Sequence, residues 1–171
     1  MKEILSAFAT YNRGADAALF DTIDKAGPAV ASKPAGIYYK TALATIQHCL
    51  WYELSWLVRY RSLCDYASLR SPLLDEGVDT LKARVGDDFA ATASLAREAD
   101  AIFVAFADEV GAEDLGRPIR FKNFRGEEQE RLVWQTIFHV LNHATHHRGE
   151  ISGALDSLGV ANDFAGFYRY L

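Results

Sequence analysis

The stretch His139-Val140-Leu141-Asn142-His143-Ala144-Thr145-His146-His147-Arg148-Gly149 decides how this chain is read, because it holds four of the five histidines. Residues four apart stack on one face of a helix, about 6 Å apart at Cβ. His139, His143 and His147 therefore form one stripe, with His146 at its flank. One ion cannot take all three. At a rise of about 1.5 Å per residue, His139 and His147 stand roughly 12 Å apart, against a zinc–imidazole bond of about 2.0–2.1 Å. The chelate is one i,i+4 pair, either His139 with His143 or His143 with His147.

The surroundings argue against a row of surface histidines. From Leu132 to His147 there is no Lys, Arg, Asp or Glu. Val133, Trp134, Ile137, Phe138, Val140, Leu141 and Ala144 spread around most of the circumference, which predicts a buried helix. Buried neutral imidazoles need partners, whether core hydrogen bonds or a metal ion. The fifth histidine, His48, falls mid-helix upstream, with Trp51, Tyr52 and Ser55 on its face. Alone it reads as a core histidine; beside an uncharged helix carrying an i,i+4 pair it reads as a third ligand. Three protein ligands leave a tetrahedral ion one open position, the pattern of catalytic sites.

Outward from that stretch, the periodicities predict four long helices. The first covers Glu3–Ala26, with Ile4, Phe8, Tyr11, Ala15, Ala18 and Thr22 at spacings of three and four and Gly27-Pro28 ending it. After a connector at Ala29–Gly36, the second covers Tyr38–Arg61. Ser71-Pro72 breaks the pattern, and Leu73–Asp87, without a clear period, could hold a short turn. The third, Asp88–Gly111, carries the clearest seam: Phe89, Thr92, Ala96, Ala99, Phe103, Phe106 and Val110. Arg117–Lys122 alternates as a strand does, and Asn123–Gly126 turns it into a short hairpin. The charges of Glu127–Arg131 form a solvated face. The fourth helix is Leu132–Leu158, and a tail with Phe164, Phe167 and Tyr168 packs on the bundle. Residues 1–171 thus read as a single all-α domain, an antiparallel four-helix bundle with a short β-hairpin before the last long helix.

Composition narrows the function classes. The chain has 171 residues, 50% apolar, enough for a sizeable core. A net charge of −5 argues against nucleic acid or an anionic membrane surface as partner. The start, Met-Lys-Glu-Ile-Leu-Ser, lacks a signal-peptide core, and no apolar run is long enough to span a bilayer. A cytoplasmic location is expected. Cys49 and Cys64 lack zinc-knuckle spacing. No residue pattern matches the HExxH zinc motif, the Glu-x-x-His pairs of di-iron bundles or a Gly-x-Ser-x-Gly elbow.

The histidine block, His48 with the Trp- and acid-bearing segment through Trp56, and Glu113-Asp114-Leu-Gly-Arg-Pro118 before a hairpin containing Gly126 together resemble the DinB-like (damage-inducible B) metal-binding bundles. The resemblance spans nearly the whole chain in order. It implies that His48, His143 and His147 are the metal ligands, with His139 and His146 outside the coordination sphere. It also implies a divalent ion, zinc or nickel, and in characterised members transfer or isomerisation reactions that use a low-molecular-weight thiol as cosubstrate. Glu150 departs from the pattern, standing where many relatives have Gln. It is one turn beyond His147, as an acceptor behind it, an extra ligand or an exposed side chain. Trp51, Tyr52 and Trp56 could wall a pocket for a small-molecule electrophile, or simply pack in the core; Glu53 or Glu150 could accept a proton.

Three readings follow: a metal-dependent thiol S-transferase, a hydrolase using metal-activated water on the same triad, and a stress-related bundle that binds metal or ligand without turnover. Phe20, Tyr38, Tyr39, Trp56 and Tyr60 lie outside a single stripe on the first two helices. Such aromatics often mark an interface, and relatives are often homodimers, so a two-fold dimer is expected.

Overall fold

The computed structural model describes residues 1–123, 125–164 and 166–171. Its helices are α1 (Lys2–Ala26), α2 (Ala42–Tyr60), α3 (Val78–Val85), α4 (Phe89–Glu109), α5 (Ala112–Leu115) and α6 (Val133–Ser157). The strands β1 (Pro118–Lys122) and β2 (Glu128–Leu132) pair antiparallel, with Pro118 opposite Leu132 and Lys122 opposite Glu128. The four long helices are the four expected, and the hairpin lies where the alternation placed it. Its turn falls at residues 123–127; Phe124 lies outside the described residues. Asn123 Oδ1 accepts the backbone N–H groups of Arg125 and Glu127 there.

Helix ends follow local chemistry. Gly27, at φ 96°, ends α1 where an L side chain would be strained, and Pro28 follows it. Thr41 Oγ1 accepts the Ala44 N–H at the start of α2, and Asp88 Oδ1 accepts the Ala91 N–H at the start of α4. Gln135 reaches back to the Leu132 N–H at the start of α6. The second helix therefore begins at Ala42, not Tyr38: Tyr38 and Tyr39 belong to a turn in which Lys40 adopts φ 74°. The segment without a clear period, read as room for a short turn, contains the eight-residue α3, anchored by Leu81 and Val85.

The long helices form a ring in which α1 contacts α4 and α6, and α2 contacts α4 and α6. Side-chain pairs fix the directions. Ser6 bonds near Ala107 and Asp21 pairs with Arg97, so α1 and α4 are antiparallel. His48 meets His143 and Tyr60 meets Thr136, so α2 and α6 are antiparallel too. Asn12 meets Arg148 while Phe8 meets Phe138, making α1 and α6 parallel neighbours. The long link through α3 runs back along the bundle and lets α2 and α4 point the same way.

Leu5, Leu19, Ile23, Leu54, Leu57, Phe103, Phe106, Val133 and Ile137 fill the core. Three of the five aromatics expected at an interface belong to it: Phe20 and Trp56 are 2% exposed and Tyr60 is fully buried. Tyr60 stacks on Phe106 and gives its hydroxyl to Thr136. In the tail, Phe164 is buried and Phe167 packs on Phe8 and Tyr11, but Tyr168 points into solvent. No helix among the described residues is long and apolar enough to cross a membrane.

Candidate metal centre

α2 and α6 cross so that His48 faces the stripe of α6. His48 Nε2 stands 3.0 Å from His143 Nε2, and His143 Nε2 stands 3.2 Å from His147 Nε2. The donor atoms of His48, His143 and His147 all lie within 4.8 Å of one another, close enough to hold one metal ion. The geometry suits a cation better than a proton. A ring nitrogen carries either one N–H or one lone pair, so His143 Nε2 cannot bond both neighbours at once. Ligand nitrogens on a tetrahedral ion with bonds of about 2.0–2.1 Å lie about 3.3–3.4 Å apart, only slightly wider than the spacing here.

Electrostatics prepares the nitrogens as ligands. Burial, reinforced by the neighbouring imidazoles His147, His48, His139 and His146, pushes the pKa of His143 down to about 3. Burial, then His147, also lowers that of His48, with Glu150 opposing. Both rings are therefore neutral at pH 7, the form that binds metal. His147 is 7% exposed, and its Nδ1 lies 2.7 Å from Glu150 Oε2. An N–H donated from Nδ1 to that carboxylate leaves the Nε2 lone pair aimed at the cluster, as a partner behind a ligating histidine usually does. This contact puts Glu150 at hydrogen-bond distance behind His147, where an acceptor would stand, and the carboxylate also lies within reach of a grouping with His146 and His147.

The remaining sequence candidates fall in different places. His139 is exposed, with its ring centre 6.2 Å from that of His143, and His146 is exposed with Nε2 3.5 Å from Glu150. The latter pair forms a second close grouping with His147. The charge-free face of α6 is thus not wholly buried: Phe138, His139, Asn142 and His146 reach solvent. α6 packs against α1, α2, α5 and β2, and the absence of charge on its outer face misled the expectation of burial all round. Tyr52 packs its ring 4.4 Å from His143, and Trp51 lies beside His48 on the same depression. Trp56 lies deeper, against Phe121.

Glu53 is elsewhere. Five residues on from His48 it is about 140° round the helix, and it points into the bundle with Asp16, Cys49, Asp100 and Arg148. Burial, then the charges of Asp100 and Asp16, push its carboxyl well above the usual range. Arg148 ties that interior together, donating to Asn12 at 2.6 Å, to Asp16 at 3.1 Å and to Thr145 at 3.0 Å. Its place next to His147 therefore locks α6 in rotation against α1.

Sequence reasoning missed Tyr39. Its ring stacks on His48 at 4.3 Å and meets His147 edge-on at 5.7 Å. A helix starting at Tyr38 cannot place it there; the Lys40 turn does, and no residue pattern announces that turn.

Two depressions flank Tyr52. One, about 220 Å³, is lined by His48, Trp51, Tyr52, Ser55, Arg59 and Lys82. The other, about 450 Å³, lies under the hairpin, with Trp56 and Phe121 at its floor and His139 at its edge. A helical bundle with a three-histidine cluster on two facing helices, half-buried and flanked by depressions, defines a class of candidate metal-site bundles. The family model described as DinB family matches residues 1–170, and the chain belongs to that family. No curated protein and no solved structure matches it.

Proposed function

We propose that this chain is a divalent-metal-dependent enzyme, the ion being zinc or nickel, that activates a low-molecular-weight thiol for S-transfer or isomerisation. The observation that carries the reading is the convergence of three imidazole Nε2 atoms beside two depressions large enough for small molecules. His48, His143 and His147 would hold the ion, and when bound it supplies a Lewis acid that lowers the pKa of a coordinated thiol. The chain's own groups do the rest. Glu150 holds the His147 tautomer, Tyr39 and Tyr52 shield the cluster from water on two sides, and the depression under the hairpin receives the electrophile.

The test begins with the metal content of protein purified without a metal-affinity tag, then screens small thiols with a generic electrophile. Turnover that needs both metal and thiol is the expected result. Ester hydrolysis without thiol would select the metal-activated-water reading instead, and stoichiometric metal with neither activity would make the chain a binding protein.

A further inference from the structure

We propose that the depression beside His48 is an anion-binding subsite, in which Arg59 anchors the carboxylate end of an extended small-molecule substrate. This rests on the reading of the triad as the reactive centre and adds the chemical class of what it takes.

The chain has more acids than bases, 23 against 18, and most of its arginines lie exposed beside a carboxylate, as in Arg61 with Asp75 or Arg84 with Glu76. Arg59 is half-buried and Arg148 buried, while the other arginines are exposed. Arg148 meets Asp16, Asn12 and Thr145. Among the described residues Arg59 has no carboxylate partner; its guanidinium lies 5.0 Å over the Trp56 ring and 5.8 Å from that of Phe121. Stacking on ring faces fixes the plane of a guanidinium while leaving its N–H edge free to take a carboxylate in two parallel bonds. A partly desolvated cation held rigid without a counter-charge is a receptor for an anion.

Placement ties this cation to the site. His48, Tyr52, Ser55 and Arg59 recur at spacings of four, three and four, so they lie on one stripe of α2 and line the same depression. Lys82, brought in by α3, adds a second cation, held only by a 3.4 Å contact to the solvated Asp79. The lining contains no acid. Eleven residues of helix rise about 16 Å, and an arginine side chain leans back towards the helix N-terminus, which leaves roughly 10 Å between guanidinium and triad. The ligand is therefore an extended one of about dipeptide length, its carboxylate at Arg59 and its reactive end at His48.

The matched probes are N-acetyl-cysteinylglycine and its C-terminal amide, which differ only in the charge at one end. Each is titrated into metal-loaded protein by ligand-observed NMR, as the free thiol and as the S-methyl form. The wild type should bind the acid about tenfold more tightly than the amide in both forms, the scale of one charge-assisted pair, and rising salt should shrink that ratio. Arg59→Met should bring the ratio close to one, with the larger loss of binding falling on the acid, Arg59→Lys should keep part of the ratio, and Lys82→Gln should lower it modestly. Circular dichroism establishes that each variant is folded; if Arg59→Met is not, the wild-type ratio and the Lys82→Gln and Arg59→Lys values decide. Equal binding of acid and amide by wild type, or a ratio untouched by Arg59→Met, overturns the proposal. Failure of the thiol reading looks different: thiol and S-methyl forms then bind alike with no turnover, while the Arg59-dependent ratio persists and supports the anion subsite.

Discussion

His143 sits at the centre of the cluster, and its two neighbours differ in how they are held. Replacing His48, His143 or His147 by Ala should each abolish stoichiometric metal binding, while His139→Ala should largely retain it, as metal analysis after dialysis would show. Loss of the ion in His139→Ala with retention in His147→Ala would move the chelate one turn upstream. Glu150→Ala should weaken metal affinity about 10- to 100-fold, the usual cost of losing the partner behind a ligating histidine, whereas Glu150→Gln should lose less because its carbonyl oxygen still accepts from Nδ1. Competition with a chromophoric chelator measures both. At this scale much was readable beforehand. The i,i+4 spacing in α6 put His143 and His147 on one face, which the structure brings close to His48, and helical phase alone separates Tyr52, on the His48 face, from Glu53, turned inward. Phase also puts Arg59 on the His48 stripe, a signal hidden by the reach of eleven residues. Tyr39 was beyond such reasoning, because its position depends on a positive φ at Lys40.

Between elements, the consequential feature is the interior where α1, α2, α4 and α6 meet around Arg148. Asp16, Glu53 and Asp100 crowd around this cation, and among the described residues Glu53 Oε1 has no hydrogen-bond partner. A carboxyl whose pKa is raised on folding favours the folded state below its unfolded value of about 4.3, and that contribution is lost as pH rises towards the folded value. Stability should therefore fall as pH rises from the unfolded value towards the folded one, each group still protonated in the fold adding to the decline. Glu53→Gln should flatten the decline and equal or exceed wild type at the upper end, as urea midpoints across that range would reveal. An unchanged slope would assign the titration to another group. No sequence pattern announced this network: Asn12, Asp16, Asp100 and Arg148 come from three helices, and nothing in the spacing of any one helix links them. Helix spans were legible because apolar period and caps agree; α3 was not, because Leu81 and Val85 are too few to establish a period.

For the whole molecule, the core runs through all four long helices independently of the histidines. Chelator-treated protein should keep its helical circular dichroism, unlike a zinc finger; loss of most of that signal would make the ion structural. The homodimer rests on family resemblance, since Phe20, Trp56 and Tyr60 pack inside the chain and only Tyr38 of those aromatics is strongly exposed. Sedimentation equilibrium at micromolar concentration should give twice the chain mass of 19.0 kDa, and a mass equal to one chain at all loadings would exclude it. His48 and His143 are 95 residues apart in the chain and meet only once α2 has docked on α6. That separation has a kinetic consequence. Early in folding the histidines are too scattered to gain from an ion, so refolding should proceed at the same speed with or without metal. Once they are gathered, every route to unfolding must first pull them apart, and the bound ion should show itself as a longer lifetime of the native state.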